Sequence, residues 1–225
     1  ETVISAGGKG PVVLACGVGA TTTLEGFVLT DGDFYRGGGI HLDDSSLWVS
    51  KCTITANQAS IGGGIYIHRG APVFIDCMIT KNSSSQGAGV YASNSSVQFS
   101  RCILSNNKAR RQGGAIDNYR STLAMDNCLV YRNDAPSAGF LVNEQNAEAS
   151  LTFCTISGNS SKNSGILNQD SQISVKTSIL WENGKKEITN RGRSSVQTEY
   201  SNIFNSPKAE NNISLDPLFV DPSAG

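Results

Sequence analysis

Both histidines of the chain, His41 and His68, fall on one face with Tyr66, Tyr91, Tyr119, Asp117 and Glu144 when the sequence is written in rows of about 25 residues. One column of that arrangement reads His41, Tyr66, Tyr91, Asp117, Val142, Asn168. A second, two residues on, reads Asp43, His68, Ser93, Tyr119, Glu144, Asp170. Tyrosine rings stack on the C–H faces of sugars, and carboxyl and imidazole groups bond sugar hydroxyls. The chemistry this set suits is recognition of a glycan laid across successive rows. The same columns put Asp117 and Glu144 one row apart, and a pair of carboxyl groups is also what glycoside hydrolysis requires.

The rows come from a repeat. Cys52, Cys77, Cys102, Cys128 and Cys154 recur at nearly constant spacing, and each is followed five residues later by Asn57, Asn82, Asn107, Asn133 and Asn159. A glycine-rich segment precedes each: GGGI at 37–40 and 62–65, GAGV at 87–90, GGAI at 113–116, AGFL at 138–141. Apolar residues keep the same period. One column is Ile54, Ile79, Leu104, Val130, Ile156, Leu180, Ile203, another is Val49, Phe74, Phe99, Met125, Leu151, Val175, and a third is Ile40, Ile65, Val90, Ile116, Leu141, Leu167. Three short alternating strands per repeat predict an all-β parallel β-helix, a solenoid of about eight coils of roughly 25 residues and about 38 Å of axis. Segment 24–32 reads as an early coil, with Gly26 and Asp31 in the cysteine and asparagine places, and Ser178 and Ser201 replace the cysteine late in the chain. The expected organisation is one domain over 1–225: N-terminal coils at 1–36, regular coils at 37–204, and a cap at 205–225 in which Leu218 and Phe219 cover the last coil.

The repeat also assigns structural roles. The asparagines are expected at corners, bonding to one another from coil to coil. That burial keeps the N-x-S sequons at Asn82 and Asn159 from carrying sugar. The cysteines are expected as one column of free, buried thiols, because parallel Cβ vectors make a poor disulfide torsion and a line of sulfurs cannot surround zinc. Lys51, Asp76, Arg101 and Asn127 read as a ladder of neutralising charges. Trp181 beside Phe204 reads as a sugar platform or, in preference, as covered by the 205–225 tail, and Trp48, alone in its column, could equally be a platform edge. No metal or cofactor is expected, beyond a structural calcium that Asp31 with Asp33, or Asp216 with Asp221, would suit.

Composition narrows the partners. The net charge is −1 and charged residues are 16% of the chain, which argues against nucleic acid and makes a strongly anionic polymer a poor ligand. No run is long and apolar enough to span a membrane. Of the polygalacturonase-type signatures, NTD, GHD and RIK are absent, and DD occurs only as Asp43-Asp44. Asp43 and Asp44, adjacent in a strand, point to opposite faces and make a weak pair. Arg110 and Arg111, read as a loop after Asn107, lack the acid cluster of a calcium-dependent lyase. Threonine columns regular enough for ice fail at Met78. The chain opens mid-pattern at Glu1 and reads as a module cut from a longer polypeptide.

TTLEGFVLTDG, the repeated GGGIY…C-x-I-x-x-N and DPLFVDP together resemble the right-handed parallel β-helix proteins of the pectin-lyase-like superfamily, over nearly the whole chain. The resemblance implies a right-handed coil, and it implies polysaccharide lyases, glycosidases, epimerases, adhesins or carbohydrate-binding modules as functions. The chain looks most like a β-helical carbohydrate-binding module of a bacterial plant-polysaccharide hydrolase. The expectation is therefore non-catalytic binding of a neutral β-glycan such as xylan through Tyr66, Tyr91, Tyr119, His68, His41, Asp117 and Glu144, by a secreted or cell-surface monomer with a hydrolase domain in the same polypeptide. A lyase or glycosidase on the same face is the alternative, and a surface adhesin or stalk is a further one.

Overall fold

The computed structural model describes residues 1–205 and 211–219. The described residues form a parallel β-helix without α-helix. One sheet has nine strands, from Thr2–Ser5 and Phe27–Thr30 through Thr53–Thr55 to Asn202–Ile203. A fifteen-stranded sheet supplies two further walls, joined where the single strand Val90–Ser100 runs through both. A four-stranded sheet, Asp33–Arg36, Gln58–Ile61, Ser83–Gln86 and Lys108–Gln112, forms one more side.

The coil bends where single residues adopt the left-handed conformation. Lys51, Asp76 and Arg101 precede the cysteines with φ of 50°, 54° and 53°, and Ala56, Lys81 and Asn106 precede the asparagines with φ of 55°, 57° and 56°. A third series, Asp44, Arg69 and Asn94, turns the chain between the two walls of the large sheet. The fourth bend needs glycine. Gly62 has φ of 65°, and a Cβ there would stand 2.5 Å from the Ile65 carbonyl oxygen.

Between bends, alternate side chains point inward. Ile54, Ile79, Leu104 and Val130 are fully buried in register, as are Phe74 and Phe99, whose rings stack at 4.9 Å. Each such side chain contributes roughly 1.5–3 kcal/mol of transfer free energy. The cysteine column is buried and unbridged. Its thiols donate to carbonyls of the preceding coil, Cys77 to Val49 at 3.4 Å and Cys102 to Phe74 at 3.5 Å.

The asparagine column is a continuous ladder. Asn57 Nδ2 donates to Asn82 Oδ1 at 3.1 Å, Asn82 to Asn107 at 3.0 Å, and Asn107 to Asn133 at 2.9 Å, and the series runs on to Asn183. The second hydrogen of each amide goes back to a strand carbonyl, as from Asn107 to Ile79 at 2.9 Å. Each Oδ1 also takes the backbone N–H of the asparagine one coil earlier, as from Asn82 to Asn107 at 3.0 Å. Glu187 closes the ladder: its buried carboxylate accepts the Asn183 N–H at 3.1 Å and its Nδ2 at 2.7 Å.

The register corrects three expectations. Val28 pairs with Thr53, so Phe27 and Gly32, not Gly26 and Asp31, occupy the cysteine and asparagine places of the early coil. Phe27 packs against the core, and the Gly32 N–H donates to Asn57 Oδ1 at 2.9 Å. A bulge between Ala138 and Leu141 shifts the next coil by one residue, so Leu141 pairs with Ile166 rather than Leu167. At the far end, Leu218 and Phe219 are 80% and 46% exposed and do not cover the last coil. The tail instead lies along the last strand, with Asn202 donating to the Leu215 carbonyl at 2.7 Å. The rest of the expected cap, 206–210 and 220–225, lies outside the described residues, as does Asp221 of the second calcium pair.

Replacing Asn107 by alanine strands two donors of Asn82 and takes the amide bond from the Ile79 carbonyl, while Asn133 Oδ1 keeps the backbone N–H of residue 107. At roughly 1–3 kcal/mol for each buried group left unpaired, Asn107→Ala is expected to lower stability by at least about 3 kcal/mol, read as a shift in the midpoint of chemical denaturation.

Candidate functional site

All seven residues expected to form the site lie in two neighbouring register columns of one wall. His41, Tyr66, Tyr91 and Asp117 pair in order, and so do Asp43, His68, Ser93, Tyr119 and Glu144. The bulge alters both columns in the next coil. Leu167 and Gln169 continue them, whereas Asn168 points inward and is buried, and Asp170 sits at a left-handed corner.

This face is more closed than alternation alone implies. The glycine bends hook the four-stranded sheet back onto the wall, which leaves Tyr66 at 6% and Asp117 at 0% exposure. His41, His68, Tyr91, Tyr119 and Glu144 are half-buried. The rings stack on one another: His41 on Tyr66 at 5.1 Å, and Tyr66 on Tyr91 at 5.7 Å with planes 2° apart. The Arg36 guanidinium lies 5.3 Å from the centre of the Tyr66 ring. The face therefore offers ring edges and polar tips to solvent, not open ring planes.

Asp117 and Glu144 do meet. The Gln112 amide nitrogen, at the end of the covering strand, donates to Asp117 Oδ2 at 3.0 Å and to Glu144 Oε1 at 3.2 Å. Asp117 Oδ1 has no partner. Burial, and next the Glu144 charge, push the Asp117 carboxyl up to about 8, while the Gln112 amide and Arg111 pull it back. Burial also raises Glu144, against the same Gln112 bond. Tyr91 beside the pair is raised by burial and then by the Asp117 charge. At neutral pH Asp117 therefore holds its proton, beside the more accessible Glu144.

Other expected residues separate from this site. Asp43 and Asp44 do not oppose each other, because Asp44 sits at a bend, and Arg69 reaches both at 3.3 and 2.8 Å. Arg110 and Arg111 lie in the strand Lys108–Gln112, not in a loop. Lys51 pairs with Glu25 at 2.8 Å, and Arg101 pairs with Asp76 at 2.7 Å. Trp181 packs edge-on against Phe204 at 4.8 Å and stays half-buried. Asp31 accepts a bond from the Ser5 hydroxyl at 2.9 Å. Among the described residues no three His, Cys, Asp or Glu side chains converge as a metal site.

Two features were missed in the sequence. The first is a second amide ladder facing inward, Asn118 to Asn143 at 2.8 Å, Asn143 to Asn168 at 3.0 Å and Asn168 to Asn190 at 3.0 Å. Its signal was the 118, 143, 168 spacing. The second is an open groove on the other wall of the large sheet. Its floor is one register column, Trp48, Val73, Gln98, Ala124, Ser150, Ser174, Gln197. Two shallow concavities share Ala124 and Ser150 and so form a single trough along the axis. The trough exists because small side chains occupy the middle of that column. Hydroxyls of Ser100, Thr122, Thr152 and Ser195 line it, and Trp48, 45% exposed, stands at one end.

A family model described as right handed beta helix region matches residues 38–204. The chain belongs to that family, and the coil is right-handed. No curated protein matches, and no solved structure matches. Membership supports a polysaccharide-related role at most and names no ligand.

The folded protein holds the Asp117 proton to about pH 8, whereas the unfolded chain releases it near the ordinary carboxylate value of 3.8. The stability linked to this proton is complete below that value and is lost as pH rises towards 8. Asp117→Asn is therefore expected to differ little from the parent near pH 4 and to melt at a clearly higher temperature at pH 8. A gap that does not change with pH would contradict the assignment.

Proposed function

We propose that the chain binds a neutral β-linked plant cell-wall glycan such as xylan without cutting it, with the glycan lying along the coil axis in the groove that begins at Trp48. The observation that carries this reading is the trough itself: it is continuous across several coils, lined by hydroxyl and amide groups with Asp126 and Glu148 at its side, and ends on an exposed indole. Coils stack at about 4.8 Å, close to the rise of one sugar in an extended β-linked chain, so each coil can meet one successive sugar residue. The indole plane adds a stacking contact to the apolar floor that Val73, Ala124 and Ala149 already supply. The proposed setting is a secreted or cell-surface polypeptide that also carries a hydrolase domain. His41, His68, Tyr91, Tyr119 and Glu144 are proposed as a secondary strip of ring edges and polar tips, with Tyr66 and Asp117 supporting it from within.

A second reading rests on a specific observation. Asp117 keeps its proton at neutral pH beside Glu144, the division of labour between acid and carboxylate that glycosidases use. In its favour is the shared Gln112 clamp. Against it, Asp117 is fully buried, so a glycosidic oxygen reaches it only if the strand Lys108–Gln112 moves.

Affinity electrophoresis of the chain against soluble xylan, with product analysis of the same samples, separates the readings. Retardation without new reducing or unsaturated ends is expected, and Trp48→Ala should weaken it about tenfold, the loss of roughly 1.4 kcal/mol. New ends that vanish in Glu144→Gln would establish hydrolysis or elimination instead.

A further inference from the structure

The nine-stranded sheet presents an outer face that the proposed glycan groove does not use. Its strands pair from Thr2–Ser5 to Asn202–Ile203 without a register shift. Two side-chain columns therefore run straight along the outside. The first carries Val3, Val28, Met78, Ile103, Leu129 and Ile179, interrupted by Thr53 and Thr155 and ending at Asn202. The second is mostly hydroxyl: Thr30 and Thr55 are half-buried, Thr80 and Ser105 are buried and bond each other at 3.1 Å, and the aromatic members Tyr131 and Trp181 follow further on. Met78 and Leu129 are 40% and 38% exposed.

Neither column contains an ionisable acid or base along its whole described length. Charge is instead held on the ridges at its two edges, in the Lys51–Glu25 and Arg101–Asp76 pairs on one side and Lys81, Arg132 and Glu182 on the other. A flat, neutral strip with one apolar and one hydroxyl column does not suit the apolar core of a permanent protein interface. It does suit sugar rings, whose C–H faces and hydroxyl edges lie side by side and repeat at about the coil spacing of 4.8 Å. Because the strip is flat where the groove is concave, it fits many parallel chains packed in a plane better than one free chain.

We propose that this strip is a second carbohydrate surface, and that it adsorbs the flat face of a packed, insoluble, neutral β-linked glycan. It rests on the reading of the protein as a carbohydrate binder, but not on the groove. Adsorption to microcrystalline cellulose and to insoluble xylan, measured by depletion, tests it alongside binding of soluble xylo-oligosaccharides. The wild-type chain is expected to adsorb to at least one insoluble polymer. Leu129→Lys and Met78→Lys place a charge on the strip while their stems stay on apolar surface. Each should cut adsorption about tenfold and leave oligosaccharide binding unchanged. Leu129→Gln, which adds no charge, should keep most of the adsorption and so separates loss of surface from loss of fold. Trp48→Ala should show the reverse pattern, with soluble binding weakened about tenfold and adsorption kept. Lysine variants that adsorb like the wild type overturn the proposal, as does a wild type that binds oligosaccharides but no insoluble polymer. So does a wild type that sediments as a dimer and becomes monomeric in the lysine variants, since a second copy then occupies the strip. Adsorption lost in the lysine variants, with no soluble ligand bound by any form, sinks the groove reading alone.

Discussion

In-register stacking of side-chain amides is the constraint on which the rest of this solenoid depends. A coil of about 25 residues bends sharply, and a bend buried against the next one leaves backbone donors and acceptors that water cannot reach. Asparagine resolves this because one side chain offers two donors and an acceptor at the bend itself. Its Oδ1 takes two bonds from the coil before, one Nδ2 hydrogen returns to a strand carbonyl, and the other passes to the next coil. The ladder has a direction, so it must end on an acceptor. A carboxylate with two free oxygens meets both donors of Asn183, which accounts for an acid as buried as Glu187.

The second ladder shows the same logic used to change the core. Leu42, Ile67 and Ala92 line one inner column of the early coils, and Asn118, Asn143, Asn168 and Asn190 continue it. The changeover leaves Asn118 Oδ1 above Ala92 without a donor. The outer column of the same wall changes over at the same coil, from the Tyr91 ring to the Asp117 carboxyl. The inner row thus stays polar from this coil onward, whereas on the outside Asp117 is a single polar step before Val142 and Leu167. The unpaired oxygens of Asp117 and Asn118, on neighbouring residues, mark the seam.

Much of this was legible because stacking turns three-dimensional neighbours into a fixed spacing. The cysteine, asparagine and apolar columns announced the coil, the amide ladder and the buried thiols from the sequence. The errors arise where spacing and register part company. The bulge before Leu141 adds a residue on one strand only, so counting placed Asn168 outside when it lies within. The first coil lacks both markers, and Phe27 with Gly32 fills their places by shape alone. The candidate site was legible as a set of residues but not as a surface. Nothing in the pattern of Lys108–Gln112 announces that the strand folds onto the neighbouring wall, yet that cover is what buries Asp117 and sets its proton affinity.

The same geometry limits where chemistry can stand on a solenoid. Every outward side chain has a neighbour about 4.8 Å above and below, so like charges in one column repel while opposite charges pair. The columns obey this: Lys51 meets Glu25, Arg101 meets Asp76, Lys108 meets Asp134, and Lys176 meets Glu199. A reactive pair of acids is incompatible with that rule in a single exposed column. Asp117 and Glu144 escape it by standing in adjacent columns, one coil apart, with the neutral Gln112 amide between them and the Asp117 carboxyl pushed up by burial to about 8. Columns without charge escape it more simply. They can extend over any number of coils at no electrostatic cost, and only such columns give a long ligand the same contact at every step.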